Sequence, residues 1–277
     1  MNINIDRKDF DYKHYDIDQL LNGSETREVN KYFGIYKLNI LCVGGSGSGK
    51  TTWIINQILN DIFDCDVILC FIPHETLYSG FYQSLIHSEH FYKPILVFEI
   101  GHNKQFKGLD NAEEIKIKSH DSSQSKRSNY IVQGMPTVSQ LFQIKNDLKF
   151  KKPLLLFDDF INVLNKEMFE SYYRYIHNSS RLNGIVCSCV QAITRIPPQV
   201  RSSYTIVVLF THYLTHSVIT TMLRNCVSNN MLDKKNTDYL LDLIEKDPNK
   251  HNPLVLIGGD VDQKKSIIYN NNYITFV

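Results

Sequence analysis

The sequence predicts an α/β fold: a mostly parallel central sheet flanked by helices on both faces. Three observations predict it. From about residue 34 onward, short apolar runs of β-type composition alternate with segments of helical period, which is the pattern of parallel strands joined by crossover helices. The runs around residues 40, 69, 155, 187 and 207 are apolar at nearly every position, as strands buried on both faces are. The chain has 277 residues, 43% hydrophobic and 21% charged, enough for a substantial core and incompatible with disorder throughout.

Each element follows in order. Residues 1–33 read as a polar lead-in, with a short acidic helix candidate near 16–21. The first strand is 37–43 (KLNILCV), followed by a glycine-rich turn and a helix from 50 to about 60. The second is 67–72 (VILCFI), closed by Pro73, and a helix carrying Tyr78, Tyr82, Leu85 and Ile86 comes next. Residues 95–100 (ILVFEI) form a short extra strand. Residues 101–130 are polar, lack a core pattern and read as a long surface loop or insertion of the kind that tends to be functional. A helix over 137–150 leads to a strand at 153–157 (PLLLF) that ends in Asp158-Asp159. A helix over 166–178 leads to the strand 184–190 (GIVCSCV), ending at Gln191, and 205–211 (TIVVLFT) is a further strand. Helices over 215–226 and 237–245 precede a terminal hairpin of 253–257 and 267–269. The expected organisation is one domain over 34–277 behind the lead-in, with the insertion at 101–130 and C-terminal helices and hairpin in 212–277.

Charge and cysteine usage narrow the class. Thirty Lys and Arg against 29 Asp and Glu leave a net charge of +1, which excludes a histone-like basic protein but permits a local basic patch. No run approaches the ~18 to 20 apolar residues of a membrane span, and the N-terminal MNINIDRKDFDYKHYD has no apolar segment of the secretory type. The six cysteines include no CxxC pair, and four lie in apolar runs; buried free thiols in a reducing compartment are expected, without a metal site.

The strongest chemical signal is Gly44-Gly45-Ser46-Gly47-Ser48-Gly49-Lys50-Thr51, followed by Thr52. It fills every fixed position of G-x-x-x-x-G-K-[ST], after an apolar strand and at the start of a helix, the context that gives the motif its meaning. Glycines let the chain turn tightly and bring backbone N–H groups to phosphate, and the helix N-terminus favours an anion. Lys50 reaches the β- and γ-phosphates, and the Thr51 hydroxyl is a Mg²⁺ ligand. ATP or another nucleoside triphosphate with Mg²⁺ is therefore expected, without a choice between kinase, transporter subunit, GTPase and motor.

Further polar residues end the later strands. A strand beside the phosphate loop would bring Asp158 to Mg²⁺, and Asp159 would orient and deprotonate the attacking water. A helix N-cap explains one Asp there more readily than two. Gln191 ends a central strand, where it would face the ligand crevice and sense the γ-phosphate or hold the lytic water. Arg181, with Arg195 and Arg201 as alternatives, flanks that strand; an arginine from a neighbouring subunit would stabilise charge on the transferred phosphoryl group.

The order GGSGSGKTT, LLLFDD, RLNGIVCSCVQ and IPPQVR resembles the HerA–FtsK superfamily, and within it the packaging ATPases of large DNA viruses and virophages, over roughly residues 36–212. The resemblance implies a RecA-like core, a homo-oligomeric ring (pentamer or hexamer), and ATP-driven movement of double-stranded DNA through a viral capsid vertex, in the host cell cytoplasm. It assigns the phosphate-loop pair to Lys50 and Thr51, the metal carboxylate to Asp158, the catalytic acid to Asp159, the sensor to Gln191 and the arginine finger to Arg181. Asp159 departs from the Glu usual in FtsK-type motors and is shorter by one methylene. DNA contacts are sought in the insertion, which offers Lys104, Lys107, Lys116, Lys118, Lys126 and Arg127 but mixes them with Asp110, Glu113, Glu114 and Asp121. The competing readings are a nucleoside or small-molecule kinase, for which the insertion is poor in Arg; a transporter subunit, whose LSGGQ-type signature is missing; and a non-hydrolysing nucleotide-binding assembly scaffold.

Overall fold

The structure is a computed structural model that describes residues 3–6, 38–60, 62–88, 91–117, 127–225, 234–246, 253–258, 265–269 and 272–276. In chain order its strands and α-helices are β1 (Ile3–Asp6), β2 (Asn39–Val43), α1 (Lys50–Leu59), β3 (Val67–Pro73), α2 (His74–Leu77), α3 (Gly80–His87), β4 (Ile95–Ile100), β5 (Glu113–Ile117), β6 (Arg127–Gln133), α4 (Val138–Leu148), β7 (Pro153–Asp158), α5 (Lys166–Leu182), β8 (Ile185–Val190), α6 (Pro198–Arg201), β9 (Ile206–Leu209), α7 (His216–Asn225), α8 (Lys234–Glu245), β10 (Leu254–Ile257), β11 (Lys265–Tyr269) and β12 (Asn272–Phe276). The chain forms two compact units, Met1–Thr52 with Val190–Val277, and Trp53–Cys189.

The unit Trp53–Cys189 holds strands in the order β8-β7-β3-β4-β6-β5, parallel throughout except for the antiparallel edge strand β5. Every residue of β3, β4 and β7 is buried, because helices cover both faces. Phe71 of β3 lies opposite Phe98 of β4 and Phe157 of β7, with ring centroids 4.8 and 4.4 Å away. Tyr172 and Tyr175 of α5 pack on this aromatic row. The Tyr172 hydroxyl donates to Ser188 Oγ at 3.1 Å, and that of Tyr175 donates to the Pro136 carbonyl. Side chains alternate along a strand, so Asp158 faces the other side, where Tyr82 of α3 reaches it. This is the mostly parallel α/β sheet with helices on both faces that the sequence predicts.

Two features differ from the sequence reading. Residues 101–130 are not one long loop, since they contain the 3₁₀ turn Leu109–Asn111, all of β5 and the start of β6. Their pairing is supported by Asn129, which is fully buried; its side-chain oxygen accepts from the Ile95 N–H (2.9 Å) and its amide donates to the Ile86 carbonyl (2.6 Å). Helix α5 continues past 178 to Leu182 and is ended by Asn183 in the left-handed conformation (φ 51°).

The unit formed by the two chain ends is built differently. β2 and β9 are parallel, Ile40 facing Ile206 and Val43 facing Leu209. From β9 outward, β10, β11, β12 and β1 pair antiparallel in that order. The expected terminal hairpin is thus β10 and β11, extended by β12. The lead-in supplies a strand, with Ile3 opposite Phe276. The acidic helix candidate near 16–21 lies outside the described residues. Cys42, Cys65, Cys70, Cys187 and Cys189 are buried and form no disulfide, and no described helix is long and apolar enough to cross a membrane.

Candidate nucleotide site

The site begins with the loop between β2 and α1. Val43 ends a fully buried strand. The Gly44 N–H donates to the Val190 carbonyl at 3.2 Å, which fixes the start of the loop. A Cβ on Gly44 would lie 2.6 Å from Ser48 Oγ and 2.7 Å from Phe210 Cβ, so only glycine fits. Gly47 and Gly49 have φ of 71° and 90°, the region that glycine enters at no steric cost. Helix α1 then starts at Lys50, and the orphan N–H groups of its first turn face the loop.

Lys50 is 6% exposed. Its Nζ donates to the carbonyls of Gly44 (2.9 Å) and Gly45 (2.8 Å), so the ammonium is folded onto its own loop. Burying that charge requires such partners. Ser46 and Gly47 are exposed at the tip, Thr51 is half-buried and Thr52 exposed. The Ser48 Oγ and the Thr211 Oγ1 are buried without a hydrogen-bond partner. Thr211 follows Phe210, whose N–H donates to the Val43 carbonyl (2.9 Å). Gln191, directly after Val190, is exposed in this same unit. Arg195 is exposed, and the Arg201 Nε donates to the Ile196 carbonyl at 2.8 Å.

The acidic residues lie in the other unit. Asp158 ends β7, is 4% exposed and faces Cys189 of β8. Tyr82 Oη donates to Asp158 Oδ2 at 2.9 Å. Burial, followed by the Asp158 charge, pushes the Tyr82 phenol well above its usual range and holds its proton on. The Cys70 thiol is raised by the same two causes in the same order, so it stays an unreactive thiol. Asp159 turns out to solvent with φ 49° and ψ 18°. Lys149 and Asn183 also have positive φ, but both end helices, where that conformation is ordinary. At Asp159 it swings the second carboxylate away from the buried first one. Arg181 is exposed in the last turn of α5.

The loop residues fit a triphosphate. The loop is a cradle that a Cβ on Gly44 would fill, with a buried ammonium whose carbonyl partners phosphate oxygens can replace. Thr51 in one unit and Asp158 in the other each carry a hard oxygen donor, the type Mg²⁺ takes alongside substrate phosphates and water. Among the described residues no group of three or more His, Cys, Asp or Glu could hold a metal ion.

The sequence did not single out Tyr82 as a partner of Asp158, or the cluster at Glu99. Glu99 ends near the edge of β4, 4% exposed, with His74 Nδ1 2.5 Å from its Oε1 and Lys104 Nζ on the same oxygen. Burial alone would raise its pKa, but the bonds to Lys104 and His74 outweigh that and hold the carboxyl below its usual range.

No family model matches the chain, and no curated protein matches it. Solved structures do. The genome packaging NTPase B204 from Sulfolobus turreted icosahedral virus 2, in complex with ATP-gammaS, is 11% identical with a TM-score of 0.44, over 83% of this chain and 96% of that one. The same protein in complex with sulfate is 13% identical with a TM-score of 0.45. The N-terminal domain of zonular occludens toxin from Neisseria meningitidis is 11% identical with a TM-score of 0.38, over 81% of this chain and 86% of that one.

Proposed function

We propose that the chain is an ATP-hydrolysing motor of the HerA–FtsK packaging type that drives double-stranded DNA through a viral capsid vertex, as a homo-oligomeric ring, in the host cell cytoplasm. The observation that carries the nucleotide part is the Gly44–Lys50 cradle. Its lysine is buried against backbone carbonyls and its glycines hold conformations or contacts that other residues cannot.

In this reading the loop N–H groups and Lys50 bind the β- and γ-phosphates, Lys50 exchanging the Gly44 and Gly45 carbonyls for phosphate oxygens. Thr51 and Asp158 would hold Mg²⁺, which when bound neutralises charge on the phosphates. Asp159, held in the left-handed conformation at the strand end, orients the lytic water and accepts its proton; a sparsely populated backbone state at a strand end is where such a role is sought. Gln191 senses the γ-phosphate. Arg181 is the candidate arginine supplied to a neighbouring subunit, since it stands exposed at a helix end. Arg195 is an exposed alternative, and Arg201 a weaker one because its Nε is committed to the Ile196 carbonyl. Loss of γ-phosphate contacts after cleavage would change the subunit boundary and move the DNA. DNA phosphates would be gripped by basic side chains without regard to sequence; of those in the insertion, Lys104 is already engaged by Glu99.

The test is turnover of ATP by the full chain with and without duplex DNA, beside gel filtration with nucleotide. A ring whose turnover rises with DNA and falls at high salt is expected. Turnover indifferent to DNA by a stable monomer overturns the motor and favours a kinase; nucleotide binding without turnover favours a scaffold.

A further inference from the structure

We infer that Tyr82 is a positioning residue that sets the orientation of the Asp158 carboxylate for the metal. The inference rests on the nucleotide reading above and deepens it.

Asp158 is the last residue of a strand buried along its whole length. A carboxylate at such a place is costly to desolvate unless donors face it. Tyr82 supplies one. Its ring is 2% exposed on α3, and its hydroxyl reaches Oδ2 at 2.9 Å across 76 residues of sequence. Helix α3 is itself fixed. It begins after Ser79, whose carbonyl accepts from the Gln83 N–H; the Gln83 side-chain amide donates to the Leu77 carbonyl at 3.0 Å; and Ile86 gives its carbonyl to the buried Asn129. Tyr82 is thereby a rigid donor on a held helix, and it packs edge-on against Phe81 at 5.4 Å. With one carboxylate oxygen engaged by a phenol, rotation of the carboxylate about its last bond is restricted. A group that must present an oxygen to a hard cation gains from this, because such partners orient the ligand and typically change metal affinity tenfold to a hundredfold. The buried Tyr172 and Tyr175 donate to a neutral hydroxyl and a backbone carbonyl, whereas Tyr82 donates to a carboxylate.

The experiment uses the full chain with a non-hydrolysable ATP analogue and Mn²⁺ as the probe ion, read by electron paramagnetic resonance. Tyr82→Phe keeps the ring and removes the donor. It is expected to weaken Mn²⁺ binding by about tenfold or more while the metal-free affinity for the analogue stays within about twofold. In an Asp158→Asn background the same change is expected to have no further effect on Mn²⁺. Unchanged Mn²⁺ affinity in Tyr82→Phe with intact folding overturns the inference. If Tyr82→Phe does not fold, a fluorinated tyrosine placed at position 82 keeps the packing and alters donor strength, and an unshifted Mn²⁺ affinity then overturns it. Wild-type chain that binds neither analogue nor Mn²⁺ sinks the nucleotide reading instead.

Discussion

Lys50 and Lys104 occupy two regions that use a poorly exposed ammonium in opposite ways. Lys50, in the loop after β2, is bonded to the carbonyls of Gly44 and Gly45. Those oxygens carry only partial charge, and a phosphate can displace them with a gain in electrostatic energy. Lys104, in the loop after β4, is bonded to the buried carboxylate of Glu99, which His74 also engages. Displacing that partner would strand a buried anion. The difference separates a cation held only by neutral carbonyls from one that fastens a loop to its sheet. The same loop is packed so closely that a Cβ on Gly134 would lie 2.2 Å from the backbone of Gln105 and Phe106.

Three substitutions break or sharpen this contrast. Lys50→Ala is expected to have the largest effect, lowering ATP turnover on the order of 100-fold or more with the thermal unfolding midpoint close to wild type; turnover that survives would remove the phosphate-loop assignment. Glu99→Gln should act on stability instead, costing about 1 to 3 kcal/mol in denaturant unfolding at neutral pH. Because Glu99 is held below its ordinary value of 4.5, its contribution is full above that pH and fades as pH falls through the lowered folded value. The variant should therefore lose less stability than wild type on acidification below 4.5, and parallel acid limbs would show that the cluster contributes nothing. Lys104→Met takes one partner from the buried Glu99 carboxylate and leaves His74 in place, so it should cost about 1 to 3 kcal/mol in stability, with nucleotide affinity unmoved in a fluorescent-analogue titration. A loss of affinity as large as that of Lys50→Ala would erase the distinction.

How much of this was legible follows the range of the interactions. The buried parallel strands could be read because burial on both faces writes a continuous apolar run into the chain. The edge strands could not. β5 (EEIKI) is largely exposed and carries no such run, and β1 is recognisable only through pairing with β12 at the other end of the chain. Helix α5 overran its expected end because Asn183, rather than a proline or an earlier glycine, stops it. At the site, Gly44 to Thr51 is a contiguous motif, so the sequence announces it, while the distant Val190 and Phe210 help to fix its first glycine. Asp158 and Asp159 could be named as a pair, but their opposite fates, one buried and one turned out in the left-handed region, depend on a backbone angle that composition does not reveal. The bond from Tyr82 to Asp158 and the cluster at Glu99 join side chains from different elements, and no spacing announces them.

By itself, then, the sequence determined what is local or repeated along the chain: the alternation of buried strands with helices, the glycine-rich turn and the polar ends of the strands. Only the tertiary structure decided what each charged group meets. A side chain's charge is fixed by its identity, but whether that charge is held, shared or available depends on the desolvation and the partners that distant segments bring to it.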